Sequence, residues 1–351
     1  MKYWIVSTGA CTSVGGARLS TAAFRAGLVR KKEMDSFTFN DNTSNEPMSI
    51  VGSPIQTICS GFESLARILI LASEALKDLH ANIGDALKLA DIQINFSLYV
   101  PSKYRHVIEE EGGSDVVIDR ILSYSQLSGE GYAVKKIVYD LADVVTLPGK
   151  HDSASGSAEN IVEIIGAVDS LLNQEEIESL VAENRLKTPS KPDGLTPGEG
   201  AVFLLLTQNR ALATTPVVLS ELILEQVVQE MEGSEPVDGN KLSQSMLGVV
   251  QDMPVSGESI NVYSNFCGAS QTAYELSNAI IRFNQQANAK NVEVITPCQT
   301  FGSVGGADLF LAISLSYCSV SLGFANKKLF IVSYIGEKGL RISVSLLHRV
   351  M

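Results

Sequence analysis

Gly166-Ala167-Val168-Asp169-Ser170, Asn184-Arg185-Leu186-Lys187 and Pro192-Asp193-Gly194-Leu195-Thr196-Pro197-Gly198-Glu199-Gly200-Ala201 follow one another closely, and their reading decides the fold. The β-branched, apolar run 161–168 predicts a buried strand, 175–184 a helix, and 201–206 a second strand with no polar face. Gly198-Glu199-Gly200 between them reads as a tight turn where backbones meet closely. A glutamate in such a turn needs hydrogen-bond donors, so Glu199 is read as a structural anchor ahead of an acid–base group.

Upstream, residues 3–7 predict a strand running into the small-residue loop Thr8-Gly9-Ala10-Cys11-Thr12-Ser13-Val14-Gly15-Gly16, then a helix over 20–26. Residues 31–60 read as an irregular surface excursion. Phe62, Leu65, Leu69, Ala72, Leu76 and Leu79 recur at helical steps, and 92–100 returns to strand. Between 101 and 160 the pattern is weakest: helices over 107–111 and 116–124, and a short strand at 137–139. The chain restarts at Pro216 with a strand to 224, a polar loop to 240, then a helix. Strand 260–263, helix 273–287, strand 292–295, helix 307–317 and strands 329–334 and 340–347 complete it. The alternation predicts a layered α/β fold, divided into halves 1–210 and 211–351.

With 351 residues, 45% apolar content and a formal charge of −12, the chain is globular and repels nucleic acid and acidic membrane surfaces. Cys11, Cys59, Cys267, Cys298 and Cys318 are odd in number and scattered, which predicts neither disulfides nor a metal site and fits a reducing cytoplasm. The opening residues lack a signal-peptide pattern. The uncharged stretch 309–326 is membrane-sized, but its serines, Gly323 and Asn326 make it a core helix and turn.

The opening stretch 7–15, the motifs quoted first, and Thr296-Pro297-Cys298-Gln299-Thr300-Phe301-Gly302-Ser303-Val304-Gly305-Gly306-Ala307 together resemble the β-ketoacyl synthases of the thiolase-like superfamily. The resemblance covers nearly the whole chain and is thin over 100–160. It implies a five-layer αβαβα sandwich made of two duplicated halves.

A condensing enzyme of that family uses a cysteine on a strand-to-helix elbow and two histidines. Here the elbow is matched to Asp152-Ser153-Ala154-Ser155-Gly156-Ser157, which puts Ser155 where cysteine is expected, and a serine without an adjacent base is a poor nucleophile. Ten residues separate Ser155 from Gly166, too few for the family's helix. The loops matched to the two histidines hold Asn265-Phe266-Cys267-Gly268-Ala269 and Thr300-Phe301. His80, His106, His151 and His348 lie elsewhere. No catalytic residue and no cofactor is expected. Ser155, Asn265, Cys267, Cys298, Thr300 and Phe301 mark a degenerate pocket, with Cys267 and Cys298 either a retained thiol pair or ordinary buried cysteines. Gly198, Glu199, Gly200, Gly302, Gly305 and Gly306 are read as structural turns.

The resemblance therefore implies a protein-binding role. The C-terminal wording is similar to degenerate thiolase-like proteins of type VI secretion effector loci, implying an adaptor or chaperone whose partner is a secreted effector or spike protein. The alternative is an acyltransferase, or a subunit similar to a chain-length factor, although the 152–165 region puts the usual dimer in doubt. A carrier-protein module would need a basic rim, for which Lys31-Lys32, Lys135-Lys136 and Lys327-Lys328 are candidates.

Overall fold

In the computed structural model the structure describes residues 3–40, 47–83, 92–126, 132–146, 161–213, 215, 217–219, 223–226, 238–253, 255–325, 327–336 and 339–348. The order begins β1 (Tyr3–Cys11), α1 (Ala17–Arg25), β2 (Lys32–Asn40), β3 (Pro47–Gly52), α2 (Gln56–Cys59), α3 (Ser64–Ile83) and β4 (Gln93–Tyr99). It continues α4 (Arg105–Glu110), α5 (Ser114–Tyr124), β5 (Tyr132–Val138), α6 (Leu141–Thr146), β6 (Ile161–Ser170), α7 (Gln174–Ala182) and β7 (Glu199–Thr207). Then come β8 (Val217–Leu219), β9 (Ile223–Gln226), α8 (Asn240–Gly248), β10 (Ser259–Ser264), α9 (Ser270–Ala287) and β11 (Asn291–Ile295). The last elements are α10 (Cys298–Phe301), α11 (Asp308–Ser321), β12 (Leu329–Ile335) and β13 (Leu340–His348).

Two successive five-position arrays repeat one pairing scheme. In β5-β4-β6-β7-β1 the first two pairings are parallel and the last two antiparallel. In β11-β10-β12-β13 the same sequence of parallel, parallel and antiparallel recurs, and β8 and β9 both pair antiparallel to β13. β8 also meets the start of β1, at Tyr3↔Leu219 and Trp4↔Val218.

The period of two along each strand sends side chains to opposite faces and so builds layers. In β7, Val202, Leu204 and Leu206 join a central core with α11 and with Ile342, Val344 and Leu346 of β13. The intervening Ala201, Phe203 and Leu205 pack with α3 and α5. Ile260, Val262, Leu329 and Ile331 face α8 and α9. The layers are thus helix, sheet, helix, sheet, helix, with α11 in the middle. Its burial on all sides explains why it carries no charge after Asp308. Tyr317 OH donates to the Val6 carbonyl at 2.8 Å, satisfying a polar group inside that layer.

Two expectations need correction. Residues 31–60 contain a β2–β3 ribbon, not an irregular excursion; Ile50 packs on Leu172, Ile177, Leu180 and Leu186, with Met34, Phe37 and Phe39 against them. A helix, α6, follows β5 where the sequence reading placed no element, and the deletion inferred between Ser155 and Gly166 falls largely outside the described residues. Among the described residues no helix is long and apolar enough to cross a membrane.

Candidate functional site

β10 and β11 are parallel neighbours, so the loops that leave their C-terminal ends emerge side by side. Cys267 lies on the first loop and Cys298 opens α10 on the second; their Cα atoms are 5.5 Å apart and their sulfurs form a disulfide. The sequence predicted no disulfide. The correction comes from strand order, which brings together two residues 31 apart in sequence. Cys11, Cys59 and Cys318 are free and buried. Burial pushes the Cys59 thiol up to about 12 and the Cys318 thiol up to about 11, so neither is a thiolate at neutral pH.

The other residues that the sequence reading assigned to a pocket hold the backbone or fill the core. The Asn265 side chain donates to the Ile335 carbonyl at 3.0 Å and accepts from the Ile335 N–H at 2.9 Å, clamping the end of β12. Thr300 and Phe301 are buried, and the Phe301 ring lies 6.2 Å from that of Phe24. Ser155 and His151 lie outside the described residues. After β5 the helix begins with Asp140 accepting from Ala142 N–H at 2.8 Å, and no cysteine occurs between Tyr132 and Thr146. His80 and His106 are exposed, far from the disulfide in sequence and on α3 and α4.

The glycine-rich segments meet each other. Gly198 N–H donates to the Ser303 carbonyl and Ser303 N–H to that of Thr196, both at 2.8 Å. A Cβ on Gly198 would come within 2.4 Å of the Phe301 carbonyl oxygen, and Gly302 turns the chain at φ +70°. Gly200 lies opposite Asp169 in the β6–β7 ladder. Gly305 and Gly306 form a turn under Asp169. The Glu199 carboxylate is fully buried and accepts from Ile55 N–H, Ser170 Oγ and both arms of Arg67. That satisfies its lone pairs, as a structural anchor requires.

Sequence reasoning missed a pair of buried acids. Asp169 accepts from Ser170 N–H and Gly306 N–H; Asp308 accepts from Val304 N–H and Ser303 Oγ. Burial raises Asp169 to about 6 and Asp308 to about 7, the latter helped by repulsion from Asp169. The available signal was an acid directly after one apolar run, 164–168, and directly before another, 309–313.

Beside Arg67 opens a cleft of about 790 Å³, lined among others by Cys59, Lys103, Tyr104, Ser170 and Glu175. Among the described residues no cluster of His, Cys, Asp and Glu is arranged to hold a metal.

A ketosynthase from module 6 of the bacillaene synthase of Bacillus subtilis 168 matches 100% of this chain and 72% of its own at a TM-score of 0.71 and 13% identity. An oxazolomycin ketosynthase domain from Streptomyces albus matches at 0.75 and 11%, covering 99% and 74%. The fold is thiolase-like. The ishigamide ketosynthase/chain length factor aligns at 0.67 and 13% identity, over 99% of both chains. A type II PKS acyl-carrier protein in complex with its ketosynthase aligns at 0.71 and 10%, again over 99% of both. No family model and no curated relative matches the sequence. Identities of 10–13% establish the thiolase-like architecture alone.

Proposed function

We propose that this chain is a non-condensing ketosynthase-like protein that works by binding another protein, in the manner of a chain-length-factor subunit beside an active ketosynthase. One observation carries the reading: the loops matched to the family's histidines hold a Cys267–Cys298 disulfide, which offers neither imidazole nor free thiol. A disulfide cannot act as a thiolate nucleophile, and the thiol of Cys59 is held protonated by burial. Full-length alignment to a ketosynthase/chain length factor supports the subunit form of the proposal. Residues 1–210 and 211–351 are then the two halves of the scaffold, consistent with the repeated pairing scheme. The narrower role of adaptor for a secreted effector rests on sequence resemblance alone.

The test is incubation with radiolabelled acyl-CoA and a malonyl-loaded carrier, oxidised and reduced. The expected result is no covalent adduct and no carbon dioxide release, with a stable complex on mixing with a catalytic ketosynthase. An adduct abolished by Cys267→Ala or Cys298→Ala overturns the proposal.

A further inference from the structure

In a chain of net charge −12, Arg30-Lys31-Lys32 is a run of three cations, placed between the end of α1 and the first residue of β2. All three line a cleft of about 420 Å³. One wall is the turn Thr12-Ser13-Val14-Gly15 after β1, and the other is the segment 54–58. No Asp or Glu lines this cleft, and among the described residues none of the three cations has a carboxylate partner. The other lysine pairs differ: Lys135 is held by Asp119, and Lys327 by Glu293 and Asn261. Lys31 is half-buried; burial and then repulsion from Lys187 pull its ammonium below the ordinary lysine value.

The facing wall is of a different kind. Val14, Pro54, Ile55 and Ile58 supply an apolar wall, and the volume falls in the range of small-molecule sites, so an organic body fits beside the charged head.

We propose that the cleft between the Thr12–Gly15 turn and Arg30-Lys31-Lys32 is a binding site for a phosphate monoester with a small apolar body. The phosphoryl oxygens accept from the three cations, and the body lies against Ile55 and Ile58. The proposal is independent of the protein-binding reading.

Calorimetric titration of the full chain with phenyl phosphate, inorganic phosphate and phenol tests it. Phenyl phosphate is expected to bind at least about tenfold tighter than inorganic phosphate and to weaken with added salt, whereas phenol is expected not to bind. Lys31→Gln and Lys32→Gln, each checked for an unchanged melting temperature without ligand, weaken phenyl phosphate binding by roughly tenfold and threefold. No heat up to about 10 mM phenyl phosphate overturns the proposal. So does equal affinity for inorganic phosphate, or undiminished binding in both variants. Should Lys31→Gln alter folding, Lys32→Gln with the salt series decides.

Discussion

Arg341 and Glu275 form a buried two-armed ion pair, Nε to Oε1 at 2.5 Å and Nη2 to Oε2 at 2.7 Å, tying β13 to α9. In the other half Arg67 of α3 grips Glu199 of β7 by the same two arms, at 2.5 and 2.7 Å. β7 and β13 occupy equivalent places in the repeated pairing scheme, so each half fastens that strand to a helix with the charges exchanged. The geometry of a planar guanidinium on a carboxylate fixes helix against strand in orientation as well as distance.

Removing one partner strands a buried charge. Glu275→Gln and Arg341→Met are each expected to cost about 3–5 kcal/mol, whereas Glu275→Leu with Arg341→Met recovers most of that loss. Urea unfolding of the two single variants and the double variant checks it; a double variant as unstable as the sum of the singles contradicts it.

Asp169 and Asp308 give stability an inverse dependence on pH. Their carboxyls stay protonated in the folded chain to about 6 and about 7, whereas the unfolded values lie near 3.8. The folded state therefore binds more protons between about pH 4 and pH 7, and their contribution is lost as pH rises through that window. Asp308→Asn, whose amide oxygen still accepts from Val304 N–H, is expected to stabilise at pH 7.5 and to change little at pH 4. The difference between variant and parent in urea midpoint, measured at pH 4, 6 and 7.5, isolates this from other groups.

The elements that were legible are those whose apolar pattern alone settles the matter. β7 is apolar from Ala201 to Leu206, α11 carries no charge after Asp308, and α3 repeats at helical steps, so local sequence and tertiary packing agree. The β2–β3 ribbon was hidden because Lys32, Glu33 and Asp35 break its apolar alternation; it is held by Ile50 and Met34 packing on Leu172 and Ile177, contacts remote in sequence. The disulfide was hidden for the same reason, since only the adjacency of β10 and β11 reveals it. At the site, the absence of histidine from 265–269 and 296–307 was legible directly, but Asp169 was read only as part of a glycine motif and Asp308 was not singled out.

The close meeting of the 196–200 and 301–305 segments makes Gly198 irreplaceable on steric grounds. Its added Cβ would face the Phe301 carbonyl oxygen, a backbone atom that cannot rotate away. Gly198→Ala is expected to cost about 2–3 kcal/mol by thermal or urea unfolding, and a neutral result contradicts the packing.

Closing a span of 31 residues, the Cys267–Cys298 bond restricts the unfolded chain and is expected to contribute about 3–4 kcal/mol. Cys267→Ser should lower stability by that order under non-reducing conditions and should be without further effect once reductant is present. Thiol counting separates this from mere packing. In denaturant without reductant three thiols react, those of Cys11, Cys59 and Cys318, and with reductant all five do. Five reactive thiols before reduction would mean that the bond is absent. The loops at the ends of β10 and β11 would then carry two free thiols side by side, the condition in which acyl transfer must be assayed afresh.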